Sequence, residues 1–300
     1  MRNTGGGPTP ATAENARLDD PGSQEAAGAK VVRVEGGKGW AARLPDLWEA
    51  REVLQYLVVR NLKIHYRQTV LGAAWAVLQP LALMAVFVLV VEKLIKVPSD
   101  GVPYPLFAFA GLVPWTLFSQ SVTVASESVV RDINLVSKVY VPRLIIPISA
   151  VLSLVVDFLI ALGLLFVLMA LYSTAPDATA LFWVPALSLL ALVISVAVGV
   201  WLSAAMVMYR DVHWFIPLLM QIWLLLTPVA YPTSLVPKAL LPLYGLNPMA
   251  GVVEGFRSAL LGTNPPANGM LAVSTLVALF LLWGALSYFR RVDRIFADVI

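Results

Sequence analysis

The sequence contains no cysteine and only two histidines among its 300 residues. Without cysteine, the chain has no disulfide framework, no cysteine zinc site and no thiol nucleophile. The histidines, His65 and His213, are far apart in the chain, and neither has a second histidine at the spacing of metal ligands. We therefore expect no metal site in this chain.

Signatures of catalysis and of nucleotide binding are also missing. Acid/base catalysis needs titratable groups that converge in one pocket, whereas Asp19 and Asp20 lie in a Gly- and Pro-rich stretch and Asp211 adjoins Arg210. The segment EGGKGW has glycine instead of Ser or Thr after Lys38, so it is not a phosphate-binding loop. We predict that the chain is not an enzyme and binds no cofactor itself. Energy for uphill transport would then come from a partner or an ion gradient.

Charge is scarce as well, which indicates a membrane protein. Charged residues make up 13% of the chain and apolar residues 59%, and the mean hydropathy is +0.80, outside the range of soluble proteins. The charges cluster between apolar runs that exceed the about 20 residues a helix needs to cross a bilayer. None of these runs shows the alternation of a barrel strand. The predicted fold is an all-α polytopic membrane protein with six transmembrane helices, at residues 70–91, 102–126, 144–174, 178–209, 214–237 and 267–289.

The distribution of Lys and Arg predicts the orientation of these helices. Twelve cations fall on one side of the six runs and four on the other, so the positive-inside rule places both termini in the cytoplasm. The cytoplasmic set is Arg43, Arg51, Arg60, Lys63, Arg67, Arg131, Lys138, Arg143, Arg210, Arg290, Arg291 and Arg294, and the outer set is Lys93, Lys96, Lys238 and Arg257.

The chain divides into four predicted segments. Residues 1–45 are rich in Gly, Pro and Ala without apolar periodicity, so we expect a disordered tail, and no apolar stretch typical of a signal peptide follows the first residues. Residues 46–67 form an amphipathic helix, residues 68–291 the membrane domain, and residues 292–300 a cytoplasmic tail. Within the membrane domain, residues 231–266 connect the fifth and sixth helices on the outer side.

The amphipathic helix is predicted to lie in the cytoplasmic interface. Asp46 and Glu49 suit an N-cap and the third helical position. One face then carries apolar side chains and the opposite face carries charges that suit anionic lipid or an acidic partner. The alternative is a simple positive-inside anchor. The apolar face consists of Leu47, Leu54, Val58 and Leu62, and the charged face of Glu49, Glu52, Arg60, Lys63 and Arg67.

Asp157 is the only charge inside a predicted span. At ~1.5 Å per residue it lies ~21 Å from the cytoplasmic end of the third helix, so it must face protein or water. It could serve as a proton or ion relay, but the lack of a second intramembrane acid or His favours a structural pair, with Arg257 as a candidate partner. In the outer connection, LNPMAGVVEGFRSALLG is too short and too polar to span, so it predicts a re-entrant or interfacial helical hairpin.

Aromatic side chains crowd the second predicted span, in YPLFAFAGLVPWTLFSQ. Tyr and Trp rings stack on the apolar faces of sugars, so an aromatic-lined path suits a glycan. The alternative is ordinary core packing. The residues predicted to line a substrate channel are Phe87, Phe107, Phe109, Trp115, Phe118 and Trp223.

Five segments in order resemble the permease subunits of type-2 ATP-binding-cassette exporters for O-antigen, teichoic acid and related surface polysaccharides. The resemblance covers the chain from about Leu47 to Arg291. The segments are RNLKIHYRQTVLGAAWAVLQPLALM, YPLFAFAGLVPWTLFS, NLVSKVYVPRLIIP, YRDVHWFIPLLMQIWLLLTPVAYP and LNPMAGVVEGFRSALLG.

This resemblance implies a homodimeric channel in the bacterial inner membrane, with two partner ATPase subunits that bind ATP and Mg²⁺ and a lipid-linked polysaccharide as substrate. It implies a coupling segment that docks on the ATPase, a second cytoplasmic contact, a gate on the interface helix and an outer gate. The coupling segment is Asn134, Leu135, Val136, Ser137 and Lys138; the second contact is Arg210, Asp211 and His213; the gate helix carries Arg60, Lys63 and Arg67; the outer gate contains Asn247, Glu254 and Arg257.

Three other functions share some of these features. An exporter of a small lipid or drug would have the same topology. A membrane-embedded transferase of lipid-linked sugars would need an acidic or metal-binding loop, which the sequence lacks. A proton-coupled transporter would have paired ionisable residues within its spans. A neighbouring gene for an ATPase with a phosphate loop would favour export.

Overall fold

The computed structural model describes residues 50–67, 74–132, 142–176, 180–237, 240–263 and 269–299, and within those ranges the secondary structure is helical. The predicted tail, residues 1–45, lies outside them. The helices are α1 Arg51–Arg67, α2 Ala74–Phe87 with a π-helical continuation Val88–Ile95, α3 Tyr104–Arg131, α4 Ile145–Ser153, α5 Val155–Leu171, α6 Ala180–Met208, α7 Val212–Leu226, a 3-10 turn Thr233–Leu235, α8 Leu241–Gly245, α9 Pro248–Leu261 and α10 Met270–Val299.

Five helical segments are long and apolar enough to cross a bilayer, which confirms that the chain is an all-α, multi-pass membrane protein. Each lies within a few residues of a predicted run, apart from α3, which continues past it to Arg131. The third segment contains a break at Leu154, which separates α4 from α5. The five are Ala74–Ile95, Tyr104–Arg131, Ile145–Leu171, Ala180–Met208 and Met270–Asp293.

The predicted fifth span, residues 214–237, is not one continuous helix. Helix α7 has 15 residues, which at 1.5 Å each give about 22 Å, less than the ~30 Å hydrocarbon layer. It ends because Thr227 is extended and Pro228 follows, which cannot continue the backbone hydrogen-bond ladder. The six-span detail of the prediction is therefore not confirmed.

Helix α3 lies at the centre of the fold, with α6, α9, α4, α5 and α2 packed against it, whereas α10 packs against α6 and α9. Close approach of α3 and α6 depends on a small residue: a Cβ at Gly199 would lie 2.8 Å from the Cβ of Ala125. Small residues at helix contacts are typical of membrane bundles, since dispersion requires the backbones to come close.

Helix α9 belongs to the outer connection and is almost entirely buried. Every residue from Pro248 to Leu261 except Ser258 is inaccessible, and α9 packs against α3, α6 and α10. This burial favours the re-entrant form of the predicted hairpin over one that lies on the membrane surface. The last helix continues to Val299, past the predicted end of the membrane domain at Arg291.

The outer surface of the bundle is apolar on α2, α5 and α7. Leu171 on α5 and Trp214 and Leu225 on α7 are each more than 70% exposed. A surface of this kind is suited to lipid tails or to a second membrane protein.

Candidate functional site

The face that α1 turns to the membrane domain is the one predicted from its apolar residues. Leu57 is buried, Leu54, Val58 and Leu62 are partly buried, and the helix packs along α4. Lys63 lies on the exposed side of the helix, as do Arg67 and three large apolar residues (Tyr56, Val59 and Ile64). The pattern predicted that this apolar face lies at the headgroup boundary and that Arg60 lies on the charged face, whereas the apolar residues are partly buried where α1 packs along α4 and Arg60 is partly buried as well. Asp46, Leu47 and Glu49 lie outside the described residues.

Polar contacts supplement this packing at two positions. The Arg60 guanidinium forms an ion pair with Asp132, 2.5 Å from Nη2 to Oδ2, and both side chains are mostly buried. The Asn61 amide donates to the Ser149 hydroxyl at 3.2 Å. Asp132 ends α3 and Ser149 lies on α4, so α1 contacts two different elements through adjacent residues.

A third polar contact involves Asp157, in the first turn of α5. Its carboxylate accepts a hydrogen bond from the Tyr66 hydroxyl, and its second oxygen lies 3.2 Å from His65 Nε2. Burial, with the hydrogen bond to Asp157 as the second cause, raises the pKa of Tyr66 above its usual range. The predicted pairing of Asp157 with Arg257 is wrong, because the carboxylate faces α1 instead of the outer hairpin.

Arg257 is instead completely buried beside Glu254, at 3.3 Å from Nη1 to Oε1. Its guanidinium also donates to three backbone carbonyls: Phe107 at 3.1 Å, Pro228 at 2.6 Å and Val229. Burial lowers the pKa of Arg257 to about 10, although Glu254 opposes the shift. Burial raises the pKa of Glu254. Two of the three predicted outer-gate residues thus meet, and they fasten α9 to α3 and to the segment after α7.

The third, Asn247, lies at the junction between α7 and α9. Its side-chain oxygen accepts from the Met249 backbone amide at 3.1 Å, which makes it the N-cap of α9, and from Trp223 Nε1 at 2.9 Å. Its amide nitrogen donates to the Thr227 hydroxyl at 2.9 Å. One side chain therefore connects the start of α9 to the end of α7.

The predicted channel aromatics lie mostly inside the protomer. Phe107, Phe109, Trp115 and Phe118 are at most 3% exposed, whereas Phe87 and Trp223 are partly buried at the edge of the core. The rings pack on one another: Phe118 lies 4.9 Å from Trp223 and 5.5 Å from Trp115, centroid to centroid. This is core packing within one copy, and a channel role for these residues stays a prediction.

The predicted ATPase contacts are described only in part. The coupling segment, residues 134–138, lies outside the described ranges. Arg210, Asp211 and His213 are exposed at the turn between α6 and α7, and His213 Nδ1 lies 3.2 Å from Glu127 Oε1 near the end of α3. These three residues therefore form an accessible polar patch.

Sequence reasoning missed Asp132, Tyr66, His65 and Ser149 as parts of the site. A usable signal existed on α1, because Asn61 and His65 are four residues apart and continue the face of Leu54 and Val58. Polar side chains on a packed face indicate polar partners there. Nothing comparable in the sequence identified the partners Asp132, at the end of α3, and Ser149, on α4.

On its exposed side, α1 lines a groove of about 510 Å³. Among the described residues, its lining combines cationic and apolar side chains, a combination that suits an anionic headgroup attached to a lipid tail. The lining is Tyr56, Val59, Arg60, Lys63, Ile64 and Arg67.

The sequence is similar to one family of membrane transporters and to proteins named as export permeases. The sequence model of the ABC-2 type transporter family matches residues 52–261. The O-antigen export system permease protein RfbA of Myxococcus xanthus is 31% identical over 258 residues, which cover 85% of this chain and 98% of that protein. Two proteins of the same name from Klebsiella pneumoniae are each 22% identical over 254 residues, covering 83% of this chain and 95% of theirs.

Proposed function

The chain belongs to the ABC-2 type transporter family, and from this premise we propose that it is the permease subunit of an ATP-driven exporter of lipid-linked polysaccharide of the O-antigen type. The observation that carries the proposal is the similarity to a protein named as an O-antigen export permease, at 31% identity over 98% of that protein's length. Because the similarity extends along nearly the whole permease, it includes the segments that would contact substrate and partner.

The proposed exporter contains two copies of this chain and two copies of a partner ATPase, which holds ATP and Mg²⁺. The apolar surfaces of α2, α5 and α7 provide area for contact between two copies as well as with lipid. The ATPase docks on the coupling segment, residues 134–138, and on the exposed patch formed by Arg210, Asp211 and His213. Both termini lie in the cytoplasm, on the side of the inner membrane where the ATPase binds.

Substrate recognition begins at the groove on α1. Lys63 and Arg67 lie on its exposed side and would pair with the phosphate groups of a lipid carrier, while Tyr56 and Ile64 contact its tail. The polymer then passes between the two copies. Of the predicted channel residues, Phe87 and Trp223 are partly exposed, so we assign contact with the polymer to these two and support of the channel wall to the buried four.

Deletion of the gene tests this function. If the chain is the export permease, deletion should remove polysaccharide from the cell surface while lipid-linked polymer accumulates on the cytoplasmic side. A plasmid copy of the gene should restore the surface polysaccharide. Loss of the polymer itself would instead indicate the transferase. Normal polysaccharide with altered sensitivity to lipids or drugs would indicate an exporter of small molecules. Co-purification of an ATPase whose turnover rises with added lipid-linked polymer would test the partner directly.

A further inference from the structure

Within the described residues, helix α1 is attached to the membrane domain by one buried and three partly buried aliphatic side chains and by several polar contacts. Its 17 residues are all described, and Leu57 is the one that is buried. The remaining attachments include Arg60 with Asp132, Asn61 with Ser149, and His65 and Tyr66 with Asp157. An element with little buried apolar area separates at low cost, because water replaces its hydrogen bonds. We therefore expect α1 to separate from the membrane domain and to bind it again reversibly.

Asp157, on α5, is the attachment point for the C-terminal end of α1. It is 8% exposed within the third membrane span, where an unpaired carboxylate would be costly. Apart from Tyr66 and His65, its surroundings include a small cavity whose lining is mostly apolar but also contains Thr116 and Gln120. Tyr66 and His65, both on α1, therefore supply polar contacts to this carboxylate.

The other end of the attachment adjoins the predicted coupling segment. Asp132, the partner of Arg60, comes two residues before Asn134. On the far side of that segment, Arg143 pairs with Asp293 of α10 at 3.1 Å. Both flanks of the segment are therefore held by ion pairs, and the N-terminal flank is held by α1. Asp132 therefore connects α1 to the end of α3, just before this segment in the chain.

We propose that Asp157, His65 and Tyr66 form a latch that sets the resting position of α1, and that the Arg60–Asp132 pair is the connection through which the coupling segment releases it. This proposal rests on the proposed function, since the force on the coupling segment comes from the partner ATPase. Asp157 is then a positioning residue for α1, and neither a proton relay nor a partner of the outer gate.

The lack of native cysteine allows a direct test with an introduced pair, Asn61→Cys and Ser149→Cys, whose side chains are in contact. In membranes that contain the permease with its ATPase, we expect rapid disulfide formation without nucleotide. With Mg·ATP and vanadate, the yield should fall at least threefold. The disulfide should also reduce polysaccharide export at least tenfold, with recovery in a reductant. The proposal would be overturned if the disulfide yield were unchanged by Mg·ATP and vanadate in a complex that is active in ATP hydrolysis. It would also be overturned if the oxidised protein exported polysaccharide as fast as the same protein after reduction.

The single variants Asn61→Cys and Ser149→Cys control for general effects of oxidation and of the substitutions. Neither can form a disulfide within the permease, because the chain has no native cysteine. The same oxidant should leave export by each single variant within twofold of its rate before oxidation. Equal inhibition of the single variants and of the pair would reject a specific role for the contact between residues 61 and 149. If no ATPase co-purifies with the permease, the proposed function is rejected, and so is the proposed release through the Arg60–Asp132 pair. The latch itself is tested separately, by disulfide formation in the permease alone.

In the permease alone, the latch predicts that Tyr66→Phe and Asp157→Asn each slow formation of the disulfide between residues 61 and 149 at least threefold. Both substitutions nearly preserve side-chain volume, so a folded protein is expected. Tyr56→Phe is the matched control, because Tyr56 lies on the exposed face of α1 and is 69% exposed. Disulfide formation in the latch variants at the rate of the control would overturn the latch.

Discussion

The guanidinium of Arg257 lies over the ring of Phe107, 3.6 Å from Cζ to the ring centroid, and donates to the carbonyl of the same residue. The cation is thus enclosed by an aromatic face, by backbone oxygens and by the carboxylate of Glu254. A buried charge needs such complete pairing, because its desolvation is costly. The outer connection is therefore fastened to the bundle by an interaction that cannot loosen without exposing a charge to an apolar interior.

The tight fit around Arg257 can be tested at Gly111. A Cβ at this position would lie 2.6 Å from Arg257 Nη2, and the guanidinium has little freedom to move because backbone carbonyls hold it. We expect Gly111→Ala to destabilise the protein by about 1 to 3 kcal/mol. Gly163→Ala is the control, since no atom lies within 4 Å of a Cβ there and alanine favours a helix. The measurement is the melting temperature in detergent, and equal values for the two variants would contradict the fit.

The role of the Arg257 charge is separated from its geometry by Arg257→Lys. Lysine keeps the charge but cannot reproduce a planar fork with several donors, so backbone carbonyls would be left unpaired. We expect a loss of about 2 to 4 kcal/mol in stability. Ser258→Ala serves as the control because Ser258 is the residue of α9 that is not fully buried. Lost export with an unchanged melting temperature would instead assign Arg257 to a gate.

Hydropathy predicted most of the fold because membrane spans are defined by length and apolar composition, both of which are local properties. For the run 214–237 it did not predict where the helix ends, because mean apolar composition does not show that the extended Thr227 and Pro228 end the helix after Leu226. The position of Asp157 within the third run also gave no information on the side of the helix to which its carboxylate points. The predicted partner of the carboxylate, Arg257, was therefore wrong. The partners Tyr66 and His65 are set by how α1 docks, which hydropathy does not show.

The hydrogen bonds of Asn247 predict a graded response to substitution. Asn247→Ala removes the cap of α9 and leaves Trp223 Nε1 without its acceptor, so we expect a loss of about 2 to 3 kcal/mol. Asn247→Asp loses the two hydrogen bonds that the amide nitrogen donates, to the Thr227 hydroxyl and to the Leu226 carbonyl. It keeps the cap of α9 and the acceptor for Trp223, so its loss of stability should be smaller than that of Asn247→Ala. Melting temperatures in detergent provide the comparison, and the reverse order would reject the capping role.

Topology depends on whether the segment from Val212 to Pro237 crosses the membrane despite the shortness of α7. If it crosses, the two termini share a side, and if it does not, they lie on opposite sides. We expect reporter fusions at Thr174 and Gly262 to indicate the outer side and fusions at Ser137 and after Ile300 the cytoplasm. Opposite sides for Ser137 and Ile300 would establish an odd number of crossings between them.

The buried aromatics of α3 distinguish core packing from a sugar path. Trp115 and Phe118 are at most 3% exposed, so Trp115→Leu and Phe118→Leu should each lower stability by about 1 to 3 kcal/mol, with export declining in step. Trp283→Leu and Phe280→Leu are matched controls, because these rings are 66% and 68% exposed on α10 and should change the melting temperature little. Export is measured as surface polysaccharide normalised to the amount of permease in the membrane. If export fell while the melting temperature stayed constant, the two rings would contact the polymer in another conformation, since a ring that only packs cannot affect transport without affecting stability.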